Sequence, residues 1–578
     1  MTEAKARKAM AAVLWAGLSL IVQAGATESF VRRPMALMVF FDGGRADGLF
    51  NVDCPVLTSL RNGAWAEGYN CAWSDAGQNI FDACTLSYPN HSSILCGVTA
   101  AKHRVLNNDQ VLTKGARHGW PTWAKRLVAA RPNLKAHAFY SDGSDALIMP
   151  DDAVPMTLAK GDWRACDEST TRAAERAYRG ADAPDAGLFF LQDPDCTGHY
   201  CGYYPTTDAY RSAYAACDAK LGRVLAAIRA RPTFAAEDWM IVFTTDHGGK
   251  LLGHGHDDAH YHTVPILVVA RHVANGILPG CPRTYDLAPT LLAHFGVDAD
   301  GLDGRVIGDS ATPSVVRPLE KDLFCHETFD SAGPLTIDVP AGTRVTSRWG
   351  YADCVLAGLD APSTCGDRPV SAAYGRIFGR DVSAAFRLEG SAKAFTGTRP
   401  SFTLAFWLLD EGEFYADDPI VLGNKNIYSF QNHGFSETAE YPGFAIFLRT
   451  KGDDGSYGVT LKYVTGDGVS MKPVGGFMSE KGKWNFYAVS VHPDNRVQFY
   501  QGTSDGLLHS IAADCTGALW SSGGPLMVGQ DVTGQYAHAA DLAYDELRLW
   551  TRALTTEEVQ QVFCRDRNGK HAIKESDK

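Results

Sequence analysis

Three runs of this sequence place acidic and imidazole side chains directly after apolar stretches. Asp42 follows 36–41 (ALMVFF), Asp195 and His199 follow 187–192 (GLFFLQ), and Asp246 and His247 follow 239–244 (WMIVFT). His254 comes shortly after, with His256, His260 and His262 close behind. Six such groups are enough to hold two metal ions with open positions. Mixed imidazole and carboxylate donors suit zinc better than calcium or magnesium. A hydroxyl nucleophile is also at hand. Ser87 opens the run 87–91 (SYPNH) ahead of a helical stretch predicted over 90–96. At such a helix N-terminus free backbone N–H groups favour an anion. Serine alone is a weak nucleophile, and metal coordination is one way to activate it. Thr85 is the competing hydroxyl. His91 reads as a supporting group rather than a catalyst. The Asn90-His91-Ser92 sequon falls inside the presumed site and reads as fortuitous.

Converging these groups requires a sheet whose strands end on one edge. In open α/β sheets, ligands bind beyond the carboxyl ends of the strands. The segments 36–41, 135–140, 187–192, 239–244 and 263–270 read as buried strands, and 121–130, 207–230 and 287–295 as helices. That alternation predicts an α/β domain over 30–308, with a mostly parallel sheet and helices on both faces. The segment 309–323, with Pro313 and Pro318, reads as a linker. Beyond it, short strands at 402–407, 443–448, 458–463, 484–491 and 496–500 alternate with Gly, Asp and Asn. They predict an all-β jelly-roll sandwich over 324–565, followed by a charged, fraying tail over 566–578.

The motifs also carry a resemblance. Phe41-Asp42-Gly43, Ser87-Tyr88-Pro89-Asn90-His91, Pro194-Asp195 with His199, Asp246-His247-Gly248 and His254-Gly255 stand in an order similar to that of the alkaline phosphatase superfamily. Within it they most resemble the nucleotide pyrophosphatase/phosphodiesterases. The likeness runs over roughly 34–308 and includes Asp286-Leu287-Ala288-Pro289-Thr290 and Leu302-Asp303-Gly304. It implies two zinc ions, one held by Asp195, His199 and His254, the other by Asp42, Asp246 and His247 beside Ser87. His256 stays open as the alternative to His254. The resemblance also makes Asn108 a ligand of a phosphoryl oxygen. Serine replaces the threonine usual in the phosphodiesterase branch. Sulfatases of the same superfamily carry an arginine where this chain has His91, and paired aspartates where it has Asp42-Gly43. Both departures favour a phosphorylated small molecule or a phosphodiester, attacked by Ser87 to give a phosphoseryl intermediate. A sulfatase-like hydrolase is the alternative, as is a binding protein built on a degenerate hydrolase domain.

The C-terminal runs 402–407 (FTLAFW), 483–489 (KWNFYAV) and 545–555 (DELRLWTRALT) resemble a laminin-G-like, concanavalin A-type jelly roll. The Glu-x-Asp-x-x-Glu pattern of related glucanases is absent, which implies a noncatalytic module. A glycan ligand, a protein ligand and plain packing on the enzyme all stay open for it. Most of its aromatic residues fall inside predicted strands and read as core.

Composition narrows the classes. The 578 residues carry 54 Lys and Arg against 66 Asp and Glu, a net charge of −12. That balance argues against a duplex nucleic acid partner, which needs a cationic face. Lys5, Arg7 and Lys8, the apolar run 10–22 and Ala24-Gly25-Ala26 read as an export signal over 1–26. The run is short for a membrane span. The expected location is therefore extracellular or periplasmic. Fourteen cysteines without a CxxC pair suit disulfides in an oxidising compartment. Cys196–Cys201 is one expected bridge and Cys325–Cys564 another.

Overall fold

A computed structural model describes residues 32–112, 119–141, 155–158, 161–180, 182–327, 336–338, 344–349, 354–357, 374–377, 386–388, 391–395, 400–414, 420–424, 443–451, 457–464, 471–480, 482–515, 523–529, 531 and 540–572. The expected export signal, 1–26, lies outside them. No described helix is long and apolar enough to cross a membrane.

The N-terminal domain is built on eight strands: β1 (Arg33–Phe41), β2 (Asn70–Gln78), β3 (Ala136–Tyr140), β4 (Met156–Leu158), β5 (Ala186–Leu191), β6 (Glu237–Thr245), β7 (Thr263–Ala270) and β8 (Gly276–Ile277). Their order across the sheet is β4-β3-β5-β1-β6-β7-β2-β8. Only β7 runs against the others, pairing antiparallel with both β6 and β2. Period-2 geometry sends alternate side chains to opposite faces. Leu37, Val39 and Phe41 enter one core, beneath helices Trp163–Arg179 and Asp208–Arg229. Ala36, Met38 and Phe40 enter the other, beneath Ser87–Cys96, Trp123–Ala130 and Leu287–His294. With both faces covered, the strands read as continuous apolar runs, which is why they were legible.

The C-terminal domain is two packed antiparallel sheets of eight strands each. Strand Phe402–Phe414 shows the patterning: Leu404, Phe406 and Leu408 face the inter-sheet core, and Ala405, Trp407 and Leu409 face outward. That outer face is covered by helix Thr556–Ala572, through Val559, Val562 and Phe563. The charged end expected to fray is therefore helical well past 566. Asp566 is buried, accepting hydrogen bonds from Trp407 Nε1 (3.0 Å) and Arg548 Nη1 (2.7 Å). Trp407, Trp484 and Trp550 of this domain are buried.

The expected Cys325–Cys564 bridge is not formed. Cys325, on strand Leu323–Glu327, points into the inter-sheet core, whereas Cys564 sits on the helix over the outer face, so the sheet separates them. Cys564 is a free thiol whose Sγ accepts from Gln560 Nε2 (3.1 Å). Cys201 is also a free, exposed thiol, so it makes no bridge to Cys196.

The two domains interlock. Gln78 Nε2 donates to Ala512 O (3.0 Å), Ala512 N donates to Thr263 Oγ1 (3.1 Å), and Gln498 Nε2 donates to Asp75 Oδ2 (2.9 Å).

Candidate active site

Strands β5, β1 and β6 are neighbours at the middle of the sheet, so their carboxyl ends lie side by side. Asp42 follows β1, and Asp246 and His247 follow β6. The segment after β5 is a short helix, Asp193–Cys201, with Pro194 and acidic residues in its first turn. Its i,i+4 spacing puts Asp195 and His199 on one face. Gly43, at φ +67°, lets the chain turn immediately after Asp42, and its Cα faces Asp195 at close range.

All six expected ligands meet there. His247 Nε2 lies 3.4 Å from Asp42 Oδ1, 3.2 Å from Asp246 Oδ2 and 3.9 Å from Asp195 Oδ1. His254 Nε2 lies 3.5 Å from Asp195 Oδ1, and His199 Nε2 lies 3.6 Å from Asp195 Oδ2. Ser87 Oγ, half-buried at the first residue of helix Ser87–Cys96, is 3.4 Å from His247 Nε2. The three imidazoles share one arrangement. Each presents Nδ1 to a backbone carbonyl: His247 to Gly248 O (2.8 Å), His254 to Thr85 O (2.8 Å) and His199 to Leu252 O (3.0 Å). A carbonyl only accepts, so Nδ1 carries the proton and Nε2 keeps its lone pair. This is the preparation metal-binding imidazoles receive from their outer partners. The Nε2 atoms of His254 and His199 are 3.2 Å apart, two lone pairs facing each other. A cation between them resolves that opposition, and three carboxylates supply the balancing charge. The donor set therefore fits divalent metal.

The surroundings enforce these states. Burial would raise the Asp246 carboxyl, but His247 and His91 beside it, with the Gly43 N–H (3.0 Å), hold it below the usual carboxylate range. Burial, with His247 stacked alongside at 3.6 Å, pushes His254 down to about 4. Burial and the adjacent Asp195 drive the Tyr203 phenol far above its ordinary value, so it stays a donor to Asp195 Oδ1.

The competing candidates fall elsewhere. Thr85 Oγ1 donates to His256 O (2.8 Å) and accepts from Gly255 N (3.1 Å), so it braces the loop that carries His254. His256 is exposed. His260 is held by Asp258 (2.7 Å) and His262 by Asn79 (2.7 Å). Asn108 Oδ1 accepts from Tyr88 N (3.1 Å), which places its amide beside Ser87 and leaves Nδ2 as a donor. Pro89 has no N–H and that of Tyr88 is taken, so this helix end offers an anion fewer donors than a bare N-terminus.

The structure gives His91 the supporting role expected of it, whereas sequence reasoning missed Tyr203 and Asn79. His91 Nε2 is 3.0 Å from Asp246 Oδ2 and 3.6 Å from Asp42 Oδ2, bridging two carboxylates from different strands. Asn79 Nδ2 donates to Asp246 O (2.9 Å). The i,i+4 step from His199 to Tyr203 was the one local signal available.

A mostly parallel sheet with buried Asp and His at its carboxyl edge beside a helix-borne serine is the arrangement of alkaline phosphatase-type hydrolases. The chain belongs to the type I phosphodiesterase/nucleotide pyrophosphatase family, whose profile matches residues 36–355, more than half its length. That is a family of phosphoester hydrolases. The match extends into the first strands of the sandwich, and residues 385–560 match the concanavalin A-like lectin/glucanase superfamily. No curated protein matches the chain. Among solved structures it is similar to an inactive murine ectonucleotide pyrophosphatase/phosphodiesterase 5 in complex with AMP, at 16% identity over 47% of this chain and 97% of that one, TM-score 0.37. A 2-O GAG sulfatase shares 12% identity over 54% and 82%, TM-score 0.38. The phosphonate monoester hydrolase of Agrobacterium radiobacter shares 14% over 54% and 87%, TM-score 0.36.

Proposed function

We propose that this protein is an exported phosphodiester hydrolase that works at a two-zinc centre through a phosphoseryl intermediate. The observation that carries the reading is the convergence of three imidazoles, each with Nδ1 bound to a backbone carbonyl, on three carboxylates beside Ser87. Asp195, His199 and His254 would hold one ion, and Asp42, Asp246 and His247 the other. When bound, the metals supply Lewis-acid charge for the serine alkoxide and for the leaving oxygen. Ser87 Oγ attacks phosphorus in line, and Asn108 Nδ2 donates to a nonbridging oxygen. His91 and Gly43 hold the Asp246 carboxylate in place, and Tyr203 does the same for Asp195. The N-terminal signal pattern supports export. No glycan role is assigned to the sandwich, whose Trp407, Trp484 and Trp550 are core.

The test is a panel of nitrophenyl esters given to the full-length protein: phosphate monoester, phosphate diester and sulfate, each with and without chelator. Chelator-sensitive turnover of the diester is expected. Ser87→Ala should abolish it while metal content stays near normal. Preferential turnover of the sulfate, or activity that survives Ser87→Ala, refutes the proposal.

A further inference from the structure

The two loops that carry Asp42 and Asp246–His247 leave the sheet after the last paired residues, Phe41 and Thr245. Beyond that point strand hydrogen bonds no longer tie them together. Beside the His91 bridge between Asp42 and Asp246, three direct hydrogen bonds do: Gly43 N to Asp246 Oδ1 (3.0 Å), Thr245 Oγ1 to Gly44 O (2.6 Å) and Arg45 Nη1 to Gly249 O (2.9 Å). The third is made by a buried guanidinium, so its aim depends on what holds Arg45. Asp47 does, accepting from Arg45 Nε (2.9 Å) and Nη2 in a two-bond fork. The second oxygen of Asp47 accepts from His509 Nδ1 (3.0 Å), and His509 belongs to strand Leu508–Asp514 of the sandwich. Arg45, Asp47 and His509 are 3%, 1% and 4% exposed, so water cannot replace any partner. The position of His509 is itself fixed: Asn51 pairs its amide with both the N–H (3.1 Å) and the C=O (2.8 Å) of Leu508. The Tyr204 ring closes the cluster, lying 5.2 Å from the Arg45 guanidinium and meeting the His509 ring edge-on at 6.5 Å. Burial would raise Asp47, but Arg45 and His509 hold it below the usual carboxylate range, so the fork stays ionic.

We infer that His509 is a positioning residue for the metal-ligand loops: through Asp47 and Arg45, the sandwich domain fixes the loop after β1 against the loop after β6. The inference rests on the reading of Asp42, Asp246 and His247 as ligands. The second domain is thus a working part of the centre and not an appended module.

The experiment compares three full-length variants, reading zinc release to a chromogenic chelator, kcat and KM for a bis-nitrophenyl phosphate, and the thermal midpoint. His509→Phe keeps the ring volume and removes the donor. It should speed zinc release about 10-fold, the low end of what outer partners of metal ligands control, and lower kcat with KM little changed. His509→Asn, which retains a side-chain N–H donor, should recover most of both. Gln498→Ala removes another buried bond of the same interface, to the Asp75 carboxylate, which bonds to Gln498 and Thr556 and to neither ligand loop. It should lower the thermal midpoint without changing zinc release or kcat. Equal effects of His509→Phe and Gln498→Ala on zinc release would reduce His509 to an interface staple and overturn the inference. A wild type that holds zinc and turns over, with a His509→Phe variant that matches it, overturns the inference alone. A wild type that binds no zinc overturns this inference and the site reading together.

Discussion

Replacing Gly43 by alanine perturbs the centre through geometry alone, adding one methyl and no charge. Two penalties are legible. Gly43 sits at φ +67°, where a side chain strains the backbone by about 1–2 kcal/mol. The new Cβ would also stand 2.7 Å from Asp195 Cα and 2.8 Å from Asp195 Cβ, about 0.7 Å inside ordinary contact. The obstacle is helix backbone, not the end of a flexible chain, so the helix bearing Asp195 and His199 must move. Overpacking of this kind costs about 1–3 kcal/mol. Together the two amount to about 2–5 kcal/mol, or roughly 5–15 °C in thermal midpoint for a domain of this size. A displacement of that order at a catalytic group lowers kcat by up to about 10²-fold. Differential scanning fluorimetry and steady-state kinetics read both effects. Gly253, in the loop just before His254, has nothing within 4 Å of a built Cβ, so Gly253→Ala is the matched control and should be silent. A Gly43→Ala protein with the wild-type midpoint and kcat would refute the claim that Gly43 packs too closely on the Asp195 backbone to admit a side chain.

Tyr203→Phe removes the donor to Asp195 Oδ1 and should weaken zinc retention about 10-fold by chelator competition, with a small change in midpoint. Asp167→Ala leaves the buried N–H groups of Gln192 and Asp193 without their acceptor at the start of helix Asp193–Cys201. At about 1–3 kcal/mol for each orphaned group, urea denaturation should show a loss of roughly 2–4 kcal/mol, the two sharing one relaxation. Burial, with Arg496 alongside, holds His492 well below the usual imidazole range. Its unfolded counterpart takes a proton below about pH 6.5 and the folded one does not, so stability falls as pH drops through that window. His492→Gln should flatten the midpoint-against-pH curve between pH 7 and pH 5.

The site was legible because its carriers are strands buried on both faces, whose unbroken apolar runs end abruptly at Asp or His. The stretch 70–78 (NCAWSDAGQ), which forms β2, gave no such signal, since its polar residues serve the domain interface: Asp75 and Gln78 both bond into the sandwich. Helix Asp193–Cys201 was not among the elements the sequence predicted, because Pro194 and Gly198 mask it, although proline and acidic groups in a first turn are start signals. The charged end of the chain read as frayed, because the partners that bury Asp566, Trp407 and Arg548, lie on distant or separate strands. The tie between Asp47 and His509 joins residues 462 positions apart and leaves no local trace. Local patterning reports what each segment needs buried, whereas pairings of this kind exist only once both domains are folded.

Strand Ala540–Trp550 lies between Phe402–Phe414 on one side and Tyr374–Ile377 with Leu323–Glu327 on the other. The centre of a sandwich sheet is therefore supplied by a strand made after every other described strand. While a ribosome is still making it, the α/β domain is long finished, but the sandwich lacks the strand that joins its two ends, and His509 has no settled place to present itself. Pairing across such sequence distances is slow, so competence of the proposed centre should trail completion of the first domain and arrive only with strand Ala540–Trp550. A nonsense codon between Phe324 and Ala540 would then yield a chain whose proposed ligands are all present and whose centre is still loose.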